Sequence, residues 1–167
     1  MITVAPLGPD DAEALREIRL EGLRLHPSAF SADPDVEGAR PIERWRDALK
    51  ARVFFGGRID GVLSGINAFG ADTGSQKTKH IGHLGAMYVR QAARGSGLAD
   101  ALIQAVLDHA AGKVEQVLLT VEANNARAIK LYERHGFETI GRLPRSIFTG
   151  GVYYDEFEMY RAISSGG

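Results

Sequence analysis

Apolar residues recur at helical spacing over Leu15, Ile18, Gly22 and Leu25, just after Pro9-Asp10-Asp11 places acids where a helix N-cap belongs. A first helix is therefore expected from about residue 11 to 25, preceded by a short strand over residues 3–7. Pro27 ends it, and residues 28–39 show no periodicity and read as an irregular loop. Pro41 suits the first turn of a second, short helix with Ile42, Trp45 and Leu49 inward. Residues 52–55 and 62–69 are β-rich and flank a glycine-rich turn ending in Asp60-Gly61, an antiparallel hairpin pattern. A polar loop follows over residues 71–79. The β-prone run 80–89 leads to a helix marked by Leu98, Ala101, Leu102, Ala105 and Val106, which closes near Gly112. Residues 116–121 read as a buried strand, so strand, helix and strand imply a right-handed parallel crossover. A last helix from Asn125 carries Ala128, Leu131 and Tyr132 and stops at Gly136, a good C-cap residue. Residues 137–143 and 151–159 form two final strands around a turn-rich stretch, 144–150. The order β-α-α-β-β-β-α-β-α-β-β describes a mixed α+β or α/β domain.

Composition narrows this picture. A chain of 167 residues suits one domain over residues 1–167 with a sizeable core. With 44% hydrophobic and 25% charged residues, disorder is not indicated. The formal net charge of −1, without a basic block, argues against a nucleic-acid or membrane-surface binder. Without cysteine there is no disulfide, thiolate metal site or cysteine nucleophile. No signal-like start or membrane-length apolar run is evident, and a soluble cytoplasmic protein is the expectation.

Candidate chemistry begins at Arg94-Gly95-Ser96-Gly97-Leu98-Ala99, which lies on the strand-to-helix turn. Backbone N–H groups in the first turn of a helix lack internal partners, and the macrodipole makes that end slightly positive. Glycines at 95 and 97 let a ligand approach the backbone, and Arg94 adds a fixed charge. The turn reads as an anion site for phosphate or pyrophosphate, although a tight bend alone also selects glycine. Farther on, Asn125 and Tyr132 are seven residues apart on one helix, roughly 700° of rotation, and face the same way. Their helix starts at the carboxyl edge of a parallel strand, where open α/β sheets bind ligands.

These residues resemble the GNAT superfamily of acetyl-CoA-dependent N-acetyltransferases. The run 94–99 fits its pyrophosphate signature R/Q-x-x-G-x-G/A, and residues 125–137 fit N-x-x-A-x-x-L-Y-E-x-x-G-F, about 30 residues downstream and in the same order. The likeness covers residues 80–159; the N-terminal half matches only in element order. It implies a central mixed sheet of about six or seven strands, with an antiparallel N-terminal half, one parallel βαβ unit and about four helices. It also implies acetyl-CoA as cosubstrate and no metal. The backbone of Arg94, Gly95, Ser96, Gly97, Leu98 and Ala99 would cradle the pyrophosphate, and groups at Met87, Tyr88 and Val89 would pair with the pantetheine arm. Asn125 would hold that arm or orient Tyr132, and Tyr132 would protonate the departing thiolate.

The acceptor implied is a primary amine, on a small molecule or on a peptide or protein. A lysine-like amine has a pKa of about 10.4, so a base must take its proton. Where N-terminal acetyltransferases of the family often carry glutamate, this chain has Thr120; Glu122, of the same strand parity, is the candidate base. His80 and His83 are alternatives, but three residues apart on a strand they face opposite sides and make no metal pair. Asp155, Glu156 and Glu158, with the acids of the 28–39 stretch, offer attraction for a cation or simply a solvated surface. Two other readings stay open: a non-catalytic acyl-CoA-binding sensor or interaction module on the same fold, and an NAD-type dinucleotide enzyme. The second is disfavoured because Asp100 stands where the third glycine would be. Family members often form homodimers, and no stretch marks an interface.

Overall fold

The computed structural model describes residues 1–163. Strands β1 (Ile2–Pro6), β2 (Val53–Ile59), β3 (Val62–Ala71), β4 (Ile81–Val89), β5 (Gln116–Glu122), β6 (Glu138–Thr149) and β7 (Val152–Ala162) form one sheet in the order β1-β2-β3-β4-β5-β7-β6. Neighbours are antiparallel except β4 and β5, which are joined by the expected helical crossover. Helices are α1 (Ala12–Leu25), α2 (Pro34–Gly38), α3 (Ile42–Ala51), α4 (Leu98–Ala110) and α5 (Ala126–Arg134). None is long and apolar enough to cross a membrane.

Strand alternation sends apolar side chains to both faces. On one face Phe55, Phe69, Leu84, Val117 and Leu119 pack with Leu98, Leu102, Ile103 and Val106 of α4 and with Tyr132 of α5. On the other, Phe54, Ile66, Ala68 and Tyr88 pack with Leu15 and Ile18 of α1 and with Trp45 and Leu49 of α3. Asn67, fully buried, ties the sheet to α4 by donating to the Leu102 carbonyl at 2.8 Å.

Three expectations change. The 28–39 stretch is not all loop: Asp33 accepts hydrogen bonds from the amides of Asp35 and Val36, Pro34 opens the first turn, and α2 follows. Five residues are too few to show apolar periodicity. Gly56 and Gly57 belong to β2, and the turn is only Asp60-Gly61, both at positive φ. The glycines are there for packing, because a Cβ at Gly57 would stand 2.5 Å from Leu98 Cδ1. Finally, β6 runs on through Pro144 to Thr149, its pairing irregular between Leu143 and Ile147, and Gly150-Gly151 makes the turn.

Candidate active site

Strands β4 and β5 pair at only three positions, Ile81–Gln116, Gly82–Val117 and His83–Leu118, and then part. Beyond that point β4 still pairs with β3, through a register shift, and Ala86 takes φ +53. The edge of Gly85–Val89 that faces β5 thus has no strand beside it. A cleft of about 530 Å³ opens there, with Met87, Tyr88 and Val89 along one side and Asn125, Ala128 and Leu131 along the other. The side is firmly set: α1 lies so close to β4 that a Cβ at Gly22 would come within 2.9 Å of the Tyr88 ring.

The glycine turn forms the outer end of this cleft. Gly95 and Gly97 have φ of +79 and +91, and a Cβ on either would project into open space. Gly97 precedes the first residue of α4, and the amides of Gly95, Gly97 and Ala99 have no partner among the described residues. Arg94, Gly95, Gly97 and Ala99 line the cleft, whereas Leu98 turns inward and Ser96 bends its hydroxyl back onto its own turn. Ser96 Oγ donates to the Ala93 carbonyl and accepts from the Leu98 amide, and Leu98 is fully buried under β2 and β3. Arg94 is joined at the mouth by Arg127 and Arg134. Those two arginines escaped the sequence reading, although seven-residue spacing on one helix places them on a common face. Asp100 pins the end of α5 to the start of α4 through Arg134 at 3.1 Å and His135 at 2.9 Å. Burial works against its ionisation, but these two bonds prevail and hold its carboxyl below the usual range. His26, also at the cleft, lies 3.1 Å from Arg94 Nη2; burial and that guanidinium hold its imidazole below its ordinary pKa.

Past Leu131 the cleft continues into an inner chamber of about 240 Å³. Tyr132 lines it, 6% exposed and edge-on to Phe137 with ring centres 5.9 Å apart; burial pushes its phenol well above the ordinary value. Asn125 caps α5 by accepting from the Ala128 amide at 3.2 Å, which leaves its amide NH₂ toward the cleft. Thr120, Glu122 and Glu156 reach the chamber from β5 and β7. Glu122 and Glu156 are direct cross-strand partners, both 8% exposed, and one carboxylate oxygen of Glu122 is buried without a hydrogen-bond partner. Arg19 of α1 and Phe30 close the opposite wall; nothing in the periodicity of α1 distinguishes Arg19 from a solvated arginine. The remaining candidates lie elsewhere. His80, just before β4, and His83, near its start, line neither space. Asp155 is engaged with Arg142 at 2.7 Å and with the Arg145 amide, and Glu37 holds Arg19.

The arrangement offers, in sequence, a cationic mouth with free amides, a largely neutral channel along an unpaired strand edge, and a chamber holding a phenol and two carboxylates. It fits a ligand with an anionic head and a long polar arm.

Residues 13–137 match the acetyltransferase (GNAT) family. A mycothiol acetyltransferase from Saccharomonospora viridis is 32% identical over 143 residues, which cover 78% of this chain and 43% of that protein. The chain spans less than half the length of the mycothiol acetyltransferases it matches. In fold, it superposes on a GNAT-family acetyltransferase from Streptococcus pneumoniae with a TM-score of 0.85 at 22% identity, covering 98% of this chain and 100% of that one. It also superposes on a Salmonella typhimurium chain, assigned as an acetyltransferase and solved with its cofactor acetyl-CoA, with a TM-score of 0.81 at 21% identity, covering 100% and 96%.

Proposed function

The chain belongs to the acetyltransferase (GNAT) family, and from that premise we propose that it transfers an acetyl group from acetyl-CoA to a primary amine. One observation carries the reading: β4 and β5 part beside the N-terminus of α4, so the glycine turn and Tyr132 lie along one continuous opening. Acetyl-CoA supplies an activated acetyl thioester when bound.

The outer residues bind. The free amides of Gly95, Gly97 and Ala99 face the pyrophosphate, with Arg94, Arg127 and Arg134 around it. Ser96 and Leu98 serve through the backbone course they impose. The unpaired edge at Met87, Tyr88 and Val89 holds the pantetheine amides, and Asn125 offers its NH₂ from the other side.

The inner residues move protons. Glu122 takes one proton from the acceptor's ammonium group, freeing the lone pair that forms the new C–N bond. As the C–S bond breaks, Tyr132 gives its proton to sulfur. The second nitrogen proton restores the phenol, and the proton on Glu122 passes to solvent. Products are an amide, a free thiol and one released proton. Burial suits Tyr132 to this task because it keeps the phenol protonated at neutral pH.

Thiol release from acetyl-CoA in the presence of an amine panel tests the reading, and a cysteine-free protein adds no background. Amine-dependent release supports it. Acetyl-CoA binding without release for any amine favours a non-catalytic binder, and no binding contradicts the donor site.

A further inference from the structure

Charge in the inner chamber is divided across the sheet. Glu122 and Glu156 come from β5 and β7, on one side of the opening, while Arg19 comes from α1 on the other. The guanidinium of Arg19 lies over the Phe30 ring at 5.2 Å and uses only Nε, in a long 3.4 Å bond to Glu37. A second guanidinium approaches the chamber wall at Gly85. Arg52, between α3 and β2, lays its side chain across β3 and β4: Nε is 3.9 Å from the position of a Gly70 Cβ, and one Nη is 3.7 Å from that of a Gly85 Cβ. Gly85 lines the chamber. Among the described residues the Arg52 side chain has no hydrogen-bond or ion-pair partner, and its guanidinium lies 5.3 Å from the centre of the Phe54 ring. Burial, and next the charge of Arg19, push the Arg52 guanidinium below its usual pKa.

On the opposite side the unpartnered carboxylate oxygen of Glu122 is buried and lacks a donor. Leaving a buried group so is costly, and an ammonium group would satisfy it. The chamber therefore lacks an anion at one end and a cationic donor at the other. A simple monoamine fills only one need, and a polyamine would place positive charge against Arg19 and Arg52. The volume, about 240 Å³, falls below the roughly 300 Å³ at which pockets for drug-sized ligands begin, so the occupant is small.

We propose that the acceptor is a small amino acid-like molecule, its amino group against Glu122 and Glu156 and its carboxylate against Arg19 and Arg52. This rests on the acetyl-transfer reading above and specifies its acceptor. The reaction is unchanged; the carboxylate only positions the amine.

The test compares L-leucine, L-methionine and L-glutamine, each with its C-terminal amide and its decarboxylated amine, by kcat/KM from thiol release. The wild type should favour each acid over its amide and amine by about tenfold or more. In Arg52→Gln the acid-to-amide ratio should fall to within about twofold, with acetyl-CoA affinity measured alongside to show that the variant is folded. Arg19→Lys should narrow the ratio in the same direction. Amides or amines used as well as acids, or a ratio untouched by Arg52→Gln, overturns the proposal. So does binding of acetyl-CoA with no acid turned over. Failure of the wild type to bind acetyl-CoA at all overturns the transferase reading itself, which distinguishes the two failures.

Discussion

Glu122 and Glu156 stand directly opposite each other across β5 and β7, yet among the described residues only Glu156 has a donor, Ser146 Oγ at 2.5 Å. Glu122 is the carboxylate with an idle buried oxygen, and it is the one assigned to take the amine's proton. Glu122→Gln is therefore expected to lower kcat about 100-fold or more. Glu156→Gln should cost less. Unchanged turnover in Glu122→Gln would remove it from the base role.

Tyr132→Phe should reduce kcat by about 100-fold while changing acetyl-CoA affinity little. Because burial raises the phenol pKa and the protonated form is the donor, wild-type kcat should show no alkaline decline owed to this group up to about pH 10. The same shift affects stability. A group whose pKa is raised on folding contributes stability fully present below its unfolded pKa, about 10, and lost as pH rises through the folded value. Urea unfolding should thus show the wild type losing stability relative to Tyr132→Phe above about pH 10. Parallel pH curves for the two proteins would contradict the burial.

Two glycines should fail in different ways. Gly97→Val places a β-branched residue at φ +91 in the cleft and should weaken acetyl-CoA binding, with backbone strain of about 1–2 kcal/mol. Gly57→Val sets its Cβ 2.5 Å from Leu98 Cδ1 and should instead lower the urea midpoint, overpacking costing about 1–3 kcal/mol of stability. Isothermal titration and urea melts on both variants separate the effects. Equal loss of affinity in both would contradict this division.

Arg127→Gln should weaken acetyl-CoA binding and flatten its dependence on sodium chloride, because one of three guanidiniums at the mouth is removed. An unchanged salt slope would place the anionic head elsewhere.

Where one local rule dominates, the sequence is a sufficient guide. The periodicity of α1 and α4, the Asp60-Gly61 turn and the crossover to β5 all read correctly, and the Gly95–Gly97 turn falls at the head of α4 as its spacing requires. Gly56 and Gly57 mislead because a glycine selected for close packing looks like one selected for a turn; only the position of Leu98 tells them apart. The 144–150 stretch misleads for the opposite reason, since a bulged strand tolerates Pro144 and a positive φ at Arg145. Spacing brings Asn125 and Tyr132 forward and the family resemblance brings Glu122 forward, and all three line the cleft or its inner chamber. Arg19 and Arg52 cannot be named this way, because the chamber they approach is made by α1, β4, β5, α5 and β7 meeting in space.

The most direct measurement is a thermal-shift titration of the purified chain with acetyl-CoA, with NADH as control. At 100 times the dissociation constant, binding should add about 2.7 kcal/mol, or roughly 5–10 °C in Tm for a domain of this size. A shift with acetyl-CoA alone, lost in Gly97→Val, is the predicted result; no shift with acetyl-CoA, or an equal one with NADH, would contradict a donor site between β4 and β5.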